Sequence, residues 1–180
     1  TENMPGSNAT KPGDVVIAMN GKTIEVENTD AEGRLTLADA LLYAIDKNSE
    51  KIIDVATLTG AMHVALGNVR GGIFGNNQNL VDSVLRASVQ AGEKLWQMPM
   101  DDDYKDLNKS DVADIKNSGG RLAGGITAAH FIGEFSKEIP WVHIDIAGMA
   151  MTEKDSGYFT KGATGFPVRT LVKMAMSIET

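Results

Sequence analysis

Short apolar runs alternate in this chain with stretches whose apolar residues recur every three or four positions. That alternation limits the fold more than any other feature. Residues 14–19, 51–56, 71–75 and 141–147 read as strands. Residues 37–47, 79–92, 127–137 and the segment after Pro167 read as helices, with stripes such as Leu80, Val84, Leu85 and Val89 or Ala128, Phe131, Ile132 and Phe135. Strands separated by helix-length amphipathic segments make βαβ units, so the pattern predicts an α/β fold around a largely parallel sheet with helices on its faces.

Local signals set the expected boundaries. Asn20-Gly21 predicts a hairpin joining 14–19 to the alternating run 23–27. Thr36 followed three residues later by Asp39 resembles a capping box and puts the first helix start near Leu37, and Asn79 reads as the N-cap of the second helix. Along 141–147, Val142, Ile144 and Ile146 alternate with His143 and Asp145. Pro167 suits the first position of the last helix. Residues 1–13, with Pro5, Gly6, Pro12 and Gly13, form an irregular lead-in. Residues 101–118, opening with Asp101, Asp102 and Asp103, read as a polar surface excursion whose acidic run is solvated.

With 180 residues, the chain is long enough to bury roughly two-thirds of its unfolded surface. Its net charge of -7 weighs against a nonspecific nucleic-acid binder, which needs a surplus of Lys and Arg. No apolar run approaches a membrane span, the opening residues lack the blocks of a secretory signal, and there is no cysteine, a combination that predicts a cytoplasmic protein. The first residue is Thr1, so the sequence is expected to be a piece of a longer protein.

The strongest cluster of chemistry-bearing residues is Asp30-x-Glu32-x-Arg34, between the hairpin and the first helix. In an extended segment these alternate side chains leave on one side. Two hard oxygen ligands can hold divalent cations, and an adjacent guanidinium can hold an anion. The alternative for this spacing is an exposed, ion-paired strand-to-helix turn. Other motifs carry less. The glycine-rich stretch 119–125 lacks the Gly-Lys-Ser/Thr ending of a phosphate loop and reads as close packing or a tight turn. His63, His130 and His143 form no zinc-ligand pattern and read as structural, as does Asp145. No Gly-x-Ser-x-Gly elbow is present, and without cysteine a thiol mechanism is excluded.

The string Asn28-Thr29-Asp30-Ala31-Glu32-Gly33-Arg34-Leu35 resembles the signature of the leucyl aminopeptidase family, the cytosol aminopeptidases. The resemblance continues through Glu2-Asn3-Met4-Pro5, residues 54–61, Gly120-Arg121, residues 143–148 and residues 162–169. It implies a three-layer α/β/α domain of the zinc-exopeptidase type, with residues 1–180 as the C-terminal portion of the catalytic domain. It also implies that Asp30 binds one of two divalent metal ions (Zn or Mn), that Glu32 bridges both, and that Arg34 holds a bicarbonate acting as general base. Leu58 and Gly60 would contact the substrate or bicarbonate through backbone groups, and Thr57 and Ala147 would line the pocket for the N-terminal side chain. The implied reaction is release of N-terminal residues, leucine and similar, from peptides by a homohexamer. The family's upstream lysines and two further aspartates match no segment here, so this chain alone is expected to be inactive. The alternative is a non-catalytic binding or structural module on the same fold, and net acidity weighs against DNA as its partner.

Overall fold

The computed structural model describes residues 6–155 and 157–178; the first five residues of the expected lead-in lie outside them. In chain order the elements are β1 (Val15–Ile17), β2 (Thr23–Glu25), α1 (Glu32–Asp46), β3 (Ile52–Ala56), α2 (Gly60–Leu66), β4 (Gly71–Gly75), α3 (Gln78–Ala91), β5 (Leu95–Gln97), β6 (Ile115–Lys116), α4 (Gly124–Gly133), β7 (Trp141–Asp145), β8 (Met151–Thr152), β9 (Gly162–Ala163) and α5 (Val168–Ile178). Single 3-10 segments occupy Thr29–Ala31 and Asp102–Asn108.

The central sheet has the order β3-β7-β4-β5. β3 runs parallel to β7 and β4 parallel to β5, and the β7–β4 step is antiparallel. The expected largely parallel sheet is therefore present with one reversed pairing at its centre. Period-two alternation sorts its side chains: Phe74 and Trp141 enter one core, Ile73, Val142 and Ile144 the other. The first core is closed by α1, α2 and α4 through Leu41, Met62 and Phe131, with Phe135 from the turn after α4, and the second by α3 and α5 through Val81, Val84 and Met174. The result is three layers, α/β/α. Phe131, Phe135 and Trp141 are completely buried, and such side chains contribute roughly 1.5–3 kcal/mol each by burial.

A smaller sheet, β1-β2-β6, sits beside this sandwich. The β1–β2 hairpin closes at Asn20-Gly21 as expected, through a three-residue loop. Gly21 N–H donates to the Ala18 carbonyl at 2.8 Å, and Gly21 takes φ +86°, a left-handed value that suits glycine. The strands are shorter than the apolar pattern suggests, and β2 gains a parallel neighbour in β6.

Several boundaries move for identifiable reasons. α1 begins at Glu32, not near Leu37, because Asn28 caps the preceding 3-10 segment by accepting from Asp30 N–H at 3.0 Å. Thr36, already inside the helix, donates to the Glu32 carbonyl at 3.4 Å. α3 is capped by Asn77, which accepts from Leu80 N–H at 3.0 Å, and not by Asn79. Glycines permit the close approach that the 119–125 stretch suggested: a Cβ on Gly125 would lie 2.7 Å from Met62 Cε. The 101–118 segment departs most from expectation. Its acidic run is exposed, with Asp102 paired to Lys105 at 2.8 Å, yet Asn108, Ile115, Asn117 and Ser118 are buried.

Candidate active site

Asp30, Glu32 and Arg34 do not lie on an extended segment. Thr29–Ala31 is a 3-10 turn and Glu32 opens α1, so the triplet is wound into helix. On a helix, positions four apart share a face and a position two along points away. Asp30 and Arg34 accordingly line one cavity of about 640 Å³, whereas Glu32, half-buried, is not among its lining residues. The triplet is not ion-paired with itself. Among the described residues, no hydrogen bond or ion pair reaches the carboxylate of Asp30 or Glu32. Both carboxylates therefore keep their oxygens available.

Arg34 is spent on backbone instead. Nη1 donates to the Asn117 carbonyl at 2.6 Å and Nη2 reaches the Gly124 carbonyl at 3.5 Å, while Nε is buried with no partner among the described residues. Burial lowers the guanidinium pKa from its ordinary value to about 10, with nearby Asp145 opposing, so it remains a cation at neutral pH. A guanidinium N–H without a partner keeps a charged donor unused, of the kind that makes strong hydrogen bonds to anions.

The floor of the cavity is set where β3 ends. Thr59 caps α2, accepting from Met62 N–H at 3.1 Å, and its hydroxyl donates to Asp145 Oδ2 at 2.7 Å. Asp145, at the end of β7, also accepts from Leu58 N–H at 3.2 Å and Ala147 N–H at 3.1 Å. Its carboxylate is structural, as the sequence suggested, and it fixes the backbone after β3. Leu58 and Gly60 line the same cavity as Asp30 and Arg34. Thr57, which is exposed, and Ala147, which is half-buried, are not among its lining residues. The Leu58 amide is already committed to Asp145, which leaves its carbonyl as the backbone group open to a ligand. The buried histidine His143 belongs to a different cluster: its Nδ1 lies 2.5 Å from Asp54 Oδ1, and Trp141 Nε1 donates to Asp54 Oδ2 at 2.6 Å.

The sequence profile of the cytosol aminopeptidase family catalytic domain matches residues 1–172. The chain belongs to the cytosol aminopeptidase family. A protein from Solibacter usitatus named as a probable cytosol aminopeptidase is 57% identical over 175 residues, covering 97% of this chain and 36% of that protein. One of the same name from Clostridium tetani is 55% identical over 179 residues, 99% of this chain and 37% of the relative. A solved structure of a mutant of tomato leucine aminopeptidase superposes with a TM-score of 0.92 at 50% identity, covering 98% of this chain and 34% of its own. The chain thus spans about a third of the length of the family relatives it matches.

Within this family frame, several cavity groups escaped the reading of residue types. Arg121 brings a second guanidinium to the rim from the glycine-rich stretch, and Ser118 lies beside it in sequence and in the lining. Asn117 is completely buried and ties the acidic turn to Arg34. Their segment is polar and low in periodicity, so no pattern of hydrophobicity could mark it as interior. Asn-Ser-Gly-Gly at 117–120 was the available signal.

Proposed function

We propose that residues 1–180 form the C-terminal portion of the catalytic domain of a dimetal aminopeptidase that releases N-terminal amino acids, leucine and similar, from peptides. The observation that supports this reading is the meeting of Asp30 and Arg34 with Leu58 and Gly60 around one cavity at the carboxyl end of β3. Among the described residues neither the carboxylate of Asp30, which lines that cavity, nor that of Glu32, which does not, has a hydrogen-bond or ion-pair partner. Loops at the carboxyl ends of strands are where α/β sheets place their ligands.

The donor chemistry suits hard or borderline divalent ions such as Mn²⁺ or Zn²⁺. Among the described residues no three metal-capable side chains come together, so Asp30 and Glu32 fit as part of a shell whose other ligands lie outside this chain. Divalent ions supply Lewis-acid polarisation of the scissile carbonyl when bound. Asp30 and Glu32 would hold them. The protonated Arg34 would hold a bicarbonate or similar anion through its unused Nε, positioned to take up a proton. Leu58 and Gly60 would orient the peptide backbone, and Thr57 and Ala147 would border the side-chain pocket beyond the cavity itself. The whole protein would act as a cytoplasmic homohexamer; among the described residues no helix is long and apolar enough to cross a membrane.

Two proteins test the reading together: this chain, and the full-length protein containing it. Titration calorimetry with Mn²⁺ and hydrolysis of leucine p-nitroanilide should give weak binding and no turnover for the chain alone. Metal-dependent turnover is expected from the full-length protein. Tight two-metal binding with turnover by the chain alone would overturn the incomplete shell; a full-length protein without metal-dependent turnover would overturn the aminopeptidase reading.

A further inference from the structure

The acidic turn and the guanidinium reach their cavity from different directions, and one residue touches both. Asn117 follows β6 and is completely buried. Its Oδ1 accepts from the amides of Glu27 at 3.0 Å and Asn28 at 3.2 Å, and its Nδ2 donates to the Asn28 carbonyl at 2.8 Å. Its own amide donates to the Glu25 carbonyl at 2.9 Å, and its own carbonyl accepts from Arg34 Nη1 at 2.6 Å. Every polar group of the residue is therefore engaged.

The partners are what distinguish Asn117 from an ordinary satisfied core amide. Asn28 is the cap of the 3-10 turn: its side chain accepts from Asp30 N–H at 3.0 Å and its carbonyl accepts from Ala31 N–H at 3.2 Å. Holding Asn28 on both its amide and its carbonyl fixes where that turn starts, and so where Asp30 points. The same residue, through its own carbonyl, fixes the guanidinium four positions further on. The segment that follows, Ser118, Gly120 and Arg121, lines the cavity as well.

We propose that Asn117 is the positioning residue of this site, registering the Asp30 turn against the Arg34 guanidinium. The inference deepens the metalloaminopeptidase reading and rests on it. Asn117 donates to no reacting group; it acts through Asn28 and Arg34. Residues that orient metal ligands from behind typically change metal affinity or activity by about 10–100-fold when removed, because small displacements of the ligands are costly.

The test uses the full-length protein with Asn117→Asp and Asn117→Ala. The aspartate keeps an acceptor for the Glu27 and Asn28 amides but has no N–H for the Asn28 carbonyl, whereas alanine loses both. Mn²⁺ affinity, read by electron paramagnetic resonance, should weaken about 10–100-fold in Asn117→Ala. With Mn²⁺ saturating, kcat should fall by a similar factor while KM stays within about threefold, since Thr57 and Ala147 hang on other elements. Amide hydrogen exchange at Glu27 and Asn28 should quicken in the alanine variant and stay slow in the aspartate one. Undiminished Mn²⁺ affinity and kcat in both folded variants would overturn the inference, and so would failure of both variants to fold, which would make Asn117 a folding residue only. Absence of Mn²⁺ binding by the unmutated protein would instead sink the metal reading itself, so the two failures are told apart.

Discussion

Replacing Arg34 by methionine isolates the cost of burying a guanidinium in this site. Arg34 is 8% exposed, and burial takes its pKa from the ordinary guanidinium value down to about 10 despite the opposing charge of Asp145. At about 1.4 kcal/mol per tenfold, that difference is a penalty on the order of 3 kcal/mol against the charged form in the folded chain. The folded pKa lies below the unfolded one, so the unfolded chain holds the proton more firmly between the two values. The penalty is fully present at neutral pH and eases as pH rises through about 10. Against it stands one short hydrogen bond, Nη1 to the Asn117 carbonyl at 2.6 Å, since the contact with Gly124 is long at 3.5 Å. A bond from a charged donor is worth about 1.5–3 kcal/mol, and its loss strands a buried carbonyl. The two effects nearly cancel. Arg34→Met should therefore unfold in urea at pH 7, followed by the fluorescence of Trp96 and Trp141, within about 1.5 kcal/mol of the parent chain. A loss above about 3 kcal/mol would refute the reasoning, because the guanidinium would then be a stabilising strut and not a group held for the cavity.

Asp145→Ala removes the acceptor for Leu58 N–H, Thr59 Oγ1 and Ala147 N–H; at about 1.5 kcal/mol for each charge-assisted bond it should cost on the order of 4 kcal/mol in the same urea assay, and a cost under about 1 kcal/mol would contradict the hydrogen-bond account. Asn77→Ala should cost about 1 kcal/mol through loss of the α3 cap, while Asn79→Ala should be close to neutral; the reverse order, read by thermal unfolding, would return the cap to Asn79. Burial, with Lys105 assisting and Asp101 and Asp102 opposing, holds His130 below its ordinary value of 6.5. The neutral form is thus favoured in the folded chain, and its contribution is present above pH 6.5 and lost as pH falls below it, so His130→Gln should flatten the decline in urea midpoint between pH 7 and 5; an unchanged slope would exclude His130 as its source.

The layers were legible because they rest on periodicity. Val142 and Ile144 alternate with Trp141 and His143 as their spacing requires; of the predicted stripe Leu80, Val84, Leu85 and Val89, the first two are buried and Leu85 packs partly against the core, but Val89 is exposed and Val81 takes the inward place. Boundaries were less legible, because capping is a competition that sequence does not decide: Asn77 beats Asn79, and Asn28 pre-empts Thr36. The conformation of the Asp30-Glu32-Arg34 triplet was misjudged for the same reason. Alternate spacing suits a strand, but the Asn28 cap and the Asn117 clamp on it favour helix, and tertiary hydrogen bonds outweigh a three-residue pattern. α2, β5, β6 and the β8–β9 pair are two to seven residues long, too short for a periodic signal; the strands exist because neighbours pair with them, and α2 starts at the Thr59 cap. Asn117 and Asn108 were unreadable as interior residues, since a buried polar side chain is defined by partners far away in sequence.

The charges around the cavity set what the proposed two-metal site would still need. The ionisable residues that line it are Asp30, Arg34 and Arg121, so the lining carries one more positive than negative charge although the whole chain is acidic at -7. Adding Glu32 from the edge brings the balance only to neutrality. Two divalent cations placed there would face a surplus of four positive charges, and unit charges about 4 Å apart repel by roughly 4 kcal/mol even at an effective dielectric constant near 20. An anion at Arg34 offsets one of those charges. In the proposed two-metal site the remaining compensation would come from carboxylates other than those of the cavity lining, approaching beside β3, which among the described residues is an edge strand of the central sheet. Among the described residues no strand pairs with the outer side of β3, which leaves that edge open to a further strand.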